Sequence, residues 1–245
     1  MSAAGRVGIL LLAAGLAGCA RTIPPVEAPG AQDIELRTPD GAVIHLHHHP
    51  TAGPPVMLVH GLSSNHRFFD LEPGRSLATY LSERGFDTWC LDLRGHGAAR
   101  EAPGGRWLHR TWDIDDYGLS DAPTAIAYIR EATGAPGVAW VGHSMGGLVG
   151  AIYASQDADA DLWAFVVLAS PADFADPDPV LRIARMGFHL GGVLLPVILT
   201  RPVAGTKIRL ASYLSGPGSI SPRKERQAMR TLASPMWAGE MSQFA

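Results

Sequence analysis

Two short runs near the start of the folded region, residues 34–38 and 42–49, alternate apolar and polar positions, with Pro39-Asp40-Gly41 between them. Period-two alternation turns one face of each run toward a core, and the Pro-Asp-Gly turn reverses the chain, so the pair predicts an antiparallel hairpin. The pattern then changes. Residues 56–59, 88–91, 138–141 and 162–168 are apolar almost throughout, and helical stretches at 76–84, 117–132 and 145–155 separate them. A strand that is apolar on both faces has to be covered on both, so this alternation predicts an α/β core: a mostly parallel sheet with helices on both faces. Beyond Pro171 the alternation stops. Asp176-Pro177-Asp178-Pro179 opens a helical segment, 186–200 is strongly apolar but broken by Gly191, Gly192 and Pro196, and 222–232 reads as a polar helix. The expected organisation is a core over 33–171 and a helical cap over 172–245.

Composition narrows the class. The 245 residues are 47% apolar and 18% charged, with a formal charge of −3, which fits a globular α/β protein and gives no basic surface for nucleic acid. Residues 1–18 carry one charged side chain, Arg6, then an uncharged stretch too short to span a bilayer, as in a secretory leader. Leu16-Ala17-Gly18-Cys19 resembles the lipobox of bacterial lipoproteins, which implies lipidation of Cys19 and cleavage before it. The alternative is an ordinary leader followed by a chance cysteine. With the Pro-rich residues 19–32 as a tether, the lipobox reading puts the protein in a bacterial cell envelope, held to a membrane by its lipid anchor. Cys90 lies in an apolar run, and no disulfide is expected.

The chemistry concentrates in three places, each at the end of an expected strand. Gly142-His143-Ser144-Met145-Gly146 is a G-x-S-x-G directly between a strand and a helix. In that context the glycines permit a sharp turn, Ser144 stands over the carboxyl edge of the sheet, and the Met145 amide, first in the helix, faces a developing oxyanion. The apolar run at 56–59 ends in His60-Gly61-Leu62, a loop able to donate a second amide, from Leu62, with His60 orienting the loop. The third place is Asp92-Leu93-Arg94-Gly95-His96-Gly97.

Together these motifs resemble the α/β-hydrolase superfamily, in particular the branch of monoacylglycerol lipases, lysophospholipases and serine aminopeptidases. The resemblance covers about 34–171. It implies Ser144 as nucleophile, Met145 and Leu62 as oxyanion donors, and residues 92–97 as the pocket floor; His60, Gly61, His143 and the cap residue Phe188 are candidate substrate contacts. The implied activity is serine esterase or lipase chemistry on a small-molecule or lipid ester, with no cofactor and no metal. In the family an acid and then a histidine follow the nucleophile, yet the only later histidine is His189, in the cap. The simplest expectation is a chain lacking the last core strands and its base; an alternative triad would use Asp173 and His189. The rival to an enzyme is a catalytically silent lipoprotein or fragment that keeps the scaffold for binding. His45, His47 and His49 share one strand face and read as the solvated side of an outer hairpin, a metal site being the alternative. Arg223, Lys224, Arg226 and Arg230 read as a solvated helix face, contact with anionic headgroups being the alternative.

Overall fold

A computed structural model of the chain describes residues 30–72, 74–99, 112–156, 161–171, 197–198, 231–232, 234 and 236–243. Six strands, β1 (Gln32–Arg37), β2 (Val43–His49), β3 (Pro55–Val59), β4 (Asp87–Asp92), β5 (Val138–His143) and β6 (Leu162–Leu168), form one sheet in the order β1-β2-β4-β3-β5-β6. β2 runs antiparallel to both its neighbours, and β4, β3, β5 and β6 pair in parallel. The expected hairpin and parallel core are both present.

Strand side chains alternate between two apolar layers, as the pleat requires. Met57, Val59, Trp89, Leu91 and Trp140 enter one cluster together with Ile114, Tyr117, Ala125, Ile126, Ile129 and Val149. Val56, Leu58, Cys90 and Ala139 enter the other, against Phe69 and Ala78. The first layer is covered by helices α2 (Ile114–Asp116), α3 (Ala122–Thr133) and α4 (Met145–Ala154), the second by α1 (Leu77–Ser82). Asp113 starts α2 by accepting the Asp115 and Asp116 amides, and Gly134, at φ +68, ends α3 by donating its N–H to the Arg130 carbonyl. Between α2 and α3 the chain makes a π-helical turn, Tyr117–Asp121, where the sequence predicts plain helix.

Two features mark the periphery. β6 is apolar but open, with Trp163, Phe165, Val166, Val167 and Leu168 each 37–51% exposed. Inside the region expected to be cap, β7 (Val197–Ile198) pairs antiparallel with β8 (Met236–Trp237), and α5 (Ala238–Gln243) follows at once. The leader, Cys19, the tether up to residue 29, Asp173, Phe188, His189 and the basic residues 223–230 lie outside the described residues.

Candidate active site

The turn from β5 into α4 holds Ser144 at φ 51, ψ −118, a backbone region that non-glycine residues rarely enter. Its glycines are sterically required. A Cβ on Gly142 would sit 2.6 Å from the Gly147 nitrogen, and one on Gly146 would sit 2.7 Å from the His60 carbonyl oxygen while overlapping that of Val59. β5, β3 and the first turn of α4 thus approach closer than any side chain allows. The Ser144 N–H donates to the Leu168 carbonyl at 2.9 Å, and the Trp140 indole N–H donates to the Gly146 carbonyl at 3.1 Å, tying the turn to β6 and to the core. Met145 is buried at the first position of α4, where backbone N–H groups have no intrahelical partner and the helix dipole favours negative charge.

The loop after β3 presses on this turn. A Cβ on Gly61 would lie 3.1 Å from both Ser144 Cβ and His143 Nδ1, so the backbone preceding Leu62 stands directly beside Ser144. Leu62 packs against the main core. His60 is fully buried; its Nδ1–H donates to the Gly61 carbonyl at 2.8 Å and its Nε2 accepts the Leu93 N–H at 3.4 Å. Burial, with His96 as a like-charged neighbour, pushes its pKa down to about 3. Both nitrogens are engaged in the neutral ring, so His60 orients the loop and does not carry protons. His143 stacks on Phe68, ring centroids 4.1 Å apart, and burial lowers its pKa also. Phe68, 38% exposed, gives the site an aromatic wall that no motif marks.

The loop is also held from the far end of the chain. Ser63 and Ser234 exchange hydrogen bonds, Ser234 N–H to Ser63 O at 2.9 Å and Ser63 Oγ to Ser234 O at 2.8 Å. The Asn65 amide donates to the carbonyls of Thr231 and Leu232 at 3.1 and 2.9 Å. Glu240 of α5 is buried, accepting the Tyr117 hydroxyl at 2.6 Å and facing His96 Nε2 at 3.2 Å. Ser63, Asn65, Tyr117 and Glu240 are therefore structural partners of the site that sequence reading misses, since only the fold brings 231–240 to the loop.

The segment after β4 forms a buried charged floor. Arg94 donates through Nε to Asp121 at 2.7 Å and reaches Asp40 in the hairpin turn. The Asp92 carboxylate accepts the backbone N–H groups of His66 and Ala98 and faces His66 Nδ1 at 2.8 Å and His47 Nε2 at 3.2 Å. Burial alone would raise its pKa, but His66 and His47 hold it well below the usual carboxylate range. The expected solvated histidine face is corrected here. His47 and His49 are buried, and so is His48; each faces its own carboxylate, Asp92, Asp87 for His48 at 2.7 Å, and Asp70 for His49 at 2.9 Å. The reason is that β2 is not an outer strand: it lies between β1 and β4, and β4 supplies two of the acids.

Comparison with known proteins agrees with this architecture. A family model described as alpha/beta hydrolase fold matches residues 54–192. Triacylglycerol lipase 1 of Arabidopsis thaliana is 27% identical over 186 residues, covering 70% of this chain and 46% of its own length. Human gastric triacylglycerol lipase is 30% identical over 139 residues, 49% of this chain and 34% of the lipase. The chain thus spans between about a third and a half of the length of these curated relatives. Among solved structures, one described under carboxylesterases of Nitrososphaera gargenis superposes with TM-score 0.57 at 16% identity, over 86% of this chain and 69% of the other. An alpha/beta hydrolase from Novosphingobium aromaticivorans gives 0.55 at 19% identity, over 88% and 70%.

Proposed function

Since the chain belongs to the α/β-hydrolase fold family, we propose that it is a serine hydrolase of the esterase or lipase kind, lipid-anchored in a bacterial envelope. The observation that carries the reading is the strained Ser144 at the head of α4, with Gly61 of the neighbouring loop against it. Strain of this kind, about 1–3 kcal/mol, persists only where the surroundings impose it, and here it lifts one hydroxyl over a helix N-terminus. Ser144 Oγ attacks the ester carbonyl, the oxyanion is met by the amides of Met145 and Leu62, the alcohol departs, and water hydrolyses the acyl-Ser144. Phe68 and His143 offer an apolar wall to the acyl part, and the lipase names of the relatives favour a lipid ester.

Proton removal from Ser144 needs a base within about 2.6–3.2 Å. His60 has both nitrogens engaged and His143 lies on Phe68, so neither is proposed as that base; the alternative triad would use His189 with Asp173. The test is fluorophosphonate labelling of the 245-residue chain and of a version extended by any residues encoded beyond Ala245. Labelling is expected at Ser144. No labelling of the extended chain, or labelling that survives Ser144→Ala, would sink the proposal; rapid labelling of the shorter chain that His189→Ala abolishes would make His189 the base. For the anchor, labelled palmitate should enter the wild-type chain and not Cys19→Ala, and a Cys19→Ala variant that stays membrane-bound would exclude it.

A further inference from the structure

We infer that His47, His66 and Asp92 form a binding site for a divalent transition metal, zinc by ligand type, that fastens the loop after β3 to the sheet. Three ligand atoms, His47 Nε2, His66 Nδ1 and an Asp92 carboxylate oxygen, lie within 4.8 Å of one another. Both ring nitrogens point at the same oxygen, Asp92 Oδ2, from 3.2 and 2.8 Å. Donors at the corners of a tetrahedron around zinc, with bonds of about 2.0–2.1 Å, stand about 3.3 Å apart, close to the two nitrogen–oxygen separations here. Two imidazoles and one carboxylate are a common zinc set, and the fourth position falls to water.

The surroundings are those of a built site. The ligands come from three separate segments, β2, the loop leading from β3, and the end of β4, and all three residues are buried. Asp92 Oδ1 accepts the His66 N–H at 2.6 Å and Oδ2 accepts the Ala98 N–H at 2.8 Å, which fixes the carboxylate with Oδ2 turned to the rings. Gly97, at φ +51, brings its backbone so close that a Cβ there would overlap the carboxylate, so no side chain crowds it from that side. The far nitrogen of His47, Nδ1, meets the Asp33 carboxylate. A carboxylate behind a ligating imidazole fixes its tautomer and raises its basicity, and this arrangement recurs in metal sites. The imidazoles stack with centroids 3.4 Å apart, so one ring turns out of the stack when both lone pairs meet on one ion. His66 opens the short helical turn that carries Phe68, so an ion here would steady the segment that walls Ser144.

The experiment uses the full chain in a Cys19→Ala background, stripped with a chelator and then titrated with Co2+ and with Zn2+ against a chromophoric competitor. One equivalent of each is expected, with visible d–d bands for Co2+, a rise in Tm on adding Zn2+, and slower hydrogen exchange over 61–68. Asp33→Asn, at a residue with 59% of its side chain exposed, should leave the metal-free Tm near the parent value and weaken Zn2+ about 10- to 100-fold. His66→Gln should abolish stoichiometric binding. Less than one equivalent at saturating Zn2+ would overturn the inference and leave a hydrogen-bonded cluster only. Affinity unchanged in both Asp33→Asn and His66→Gln would overturn it equally, by placing the ion elsewhere.

Discussion

The engaged ring of His60 makes the stability of the fold depend on pH in a way that can be worked out in advance. In the folded chain the imidazole is fully buried and titrates at about 3, against about 6.5 when exposed. Burial is the main cause and the nearby His96 ring, 5.0 Å away, adds to it with His66; Asp92 and the Gly61 carbonyl pull the other way. The folded pKa is depressed, so the unfolded chain takes up the proton first. Stability from this group is complete above about pH 6.5 and is lost progressively as pH falls toward 3. Between pH 7.5 and 5.0 the loss is about 2 kcal/mol, since each unit below the unfolded pKa costs about 1.4 kcal/mol. The comparison is with His60→Asn, whose amide can still donate to the Gly61 carbonyl but does not titrate. Urea unfolding at both pH values should give the wild type a pH-dependent loss larger by about 2 kcal/mol, although the variant starts less stable. Equal losses in the two proteins would refute the assignment of a neutral, proton-excluding His60.

Three further outcomes follow from the same contacts. Ser144→Gly should raise the unfolding free energy by about 1 kcal/mol while abolishing any labelling, because glycine accepts φ 51 without strain; an unchanged or lowered stability in urea would contradict the strained turn. Gly146→Ala forces a methyl onto the carbonyls of Val59 and His60 and should cost about 3 kcal/mol or prevent folding, whereas a fully stable variant by circular dichroism melting would mean β3 and α4 are not in contact there. Arg94→Met leaves Asp121 buried without its cation and should cost about 3–5 kcal/mol in urea unfolding; a loss below about 1 kcal/mol would show that Asp121, whose pKa burial raises to about 7, is neutral in the fold.

The parts of the fold that sequence reveals are those set by local rules. The hairpin, the four parallel strands and the helices following β3, β4 and β5 appear within a few residues of their expected bounds, because apolar period and turn chemistry are properties of short windows. Ser144 was legible for the same reason: glycine on both sides of the serine, a strand before and a helix after, specify one turn. The π turn at Tyr117–Asp121 left no such mark. Its effect is to carry Asp121 onto Arg94, 27 residues earlier, and neither residue shows the other in a linear reading.

The histidines of β2 show where that logic fails and why. Along the chain, His47, His48 and His49 have no acid beside them, so alternation alone argues for water on one face. In the sheet, their carboxylates arrive from 45, 39 and 21 residues away, two on β4 and one past the loop after β3. A buried imidazole needs a partner far more than an exposed one does, and strand order decides whether it finds one. Placing β2 inside the sheet therefore turns a polar surface into a set of matched imidazole–carboxylate pairs, of which His47–Asp92 lies at the floor of the site. The same strand order explains the grip on Ser144. β3 lies between β4 and β5, so the loop that presses Gly61 on Ser144 is continuous with the one in which His66 meets Asp92. Whatever loosens the His47, His66 and Asp92 cluster consequently acts on the position of Leu62 and Phe68, and so on Ser144, without touching the serine itself.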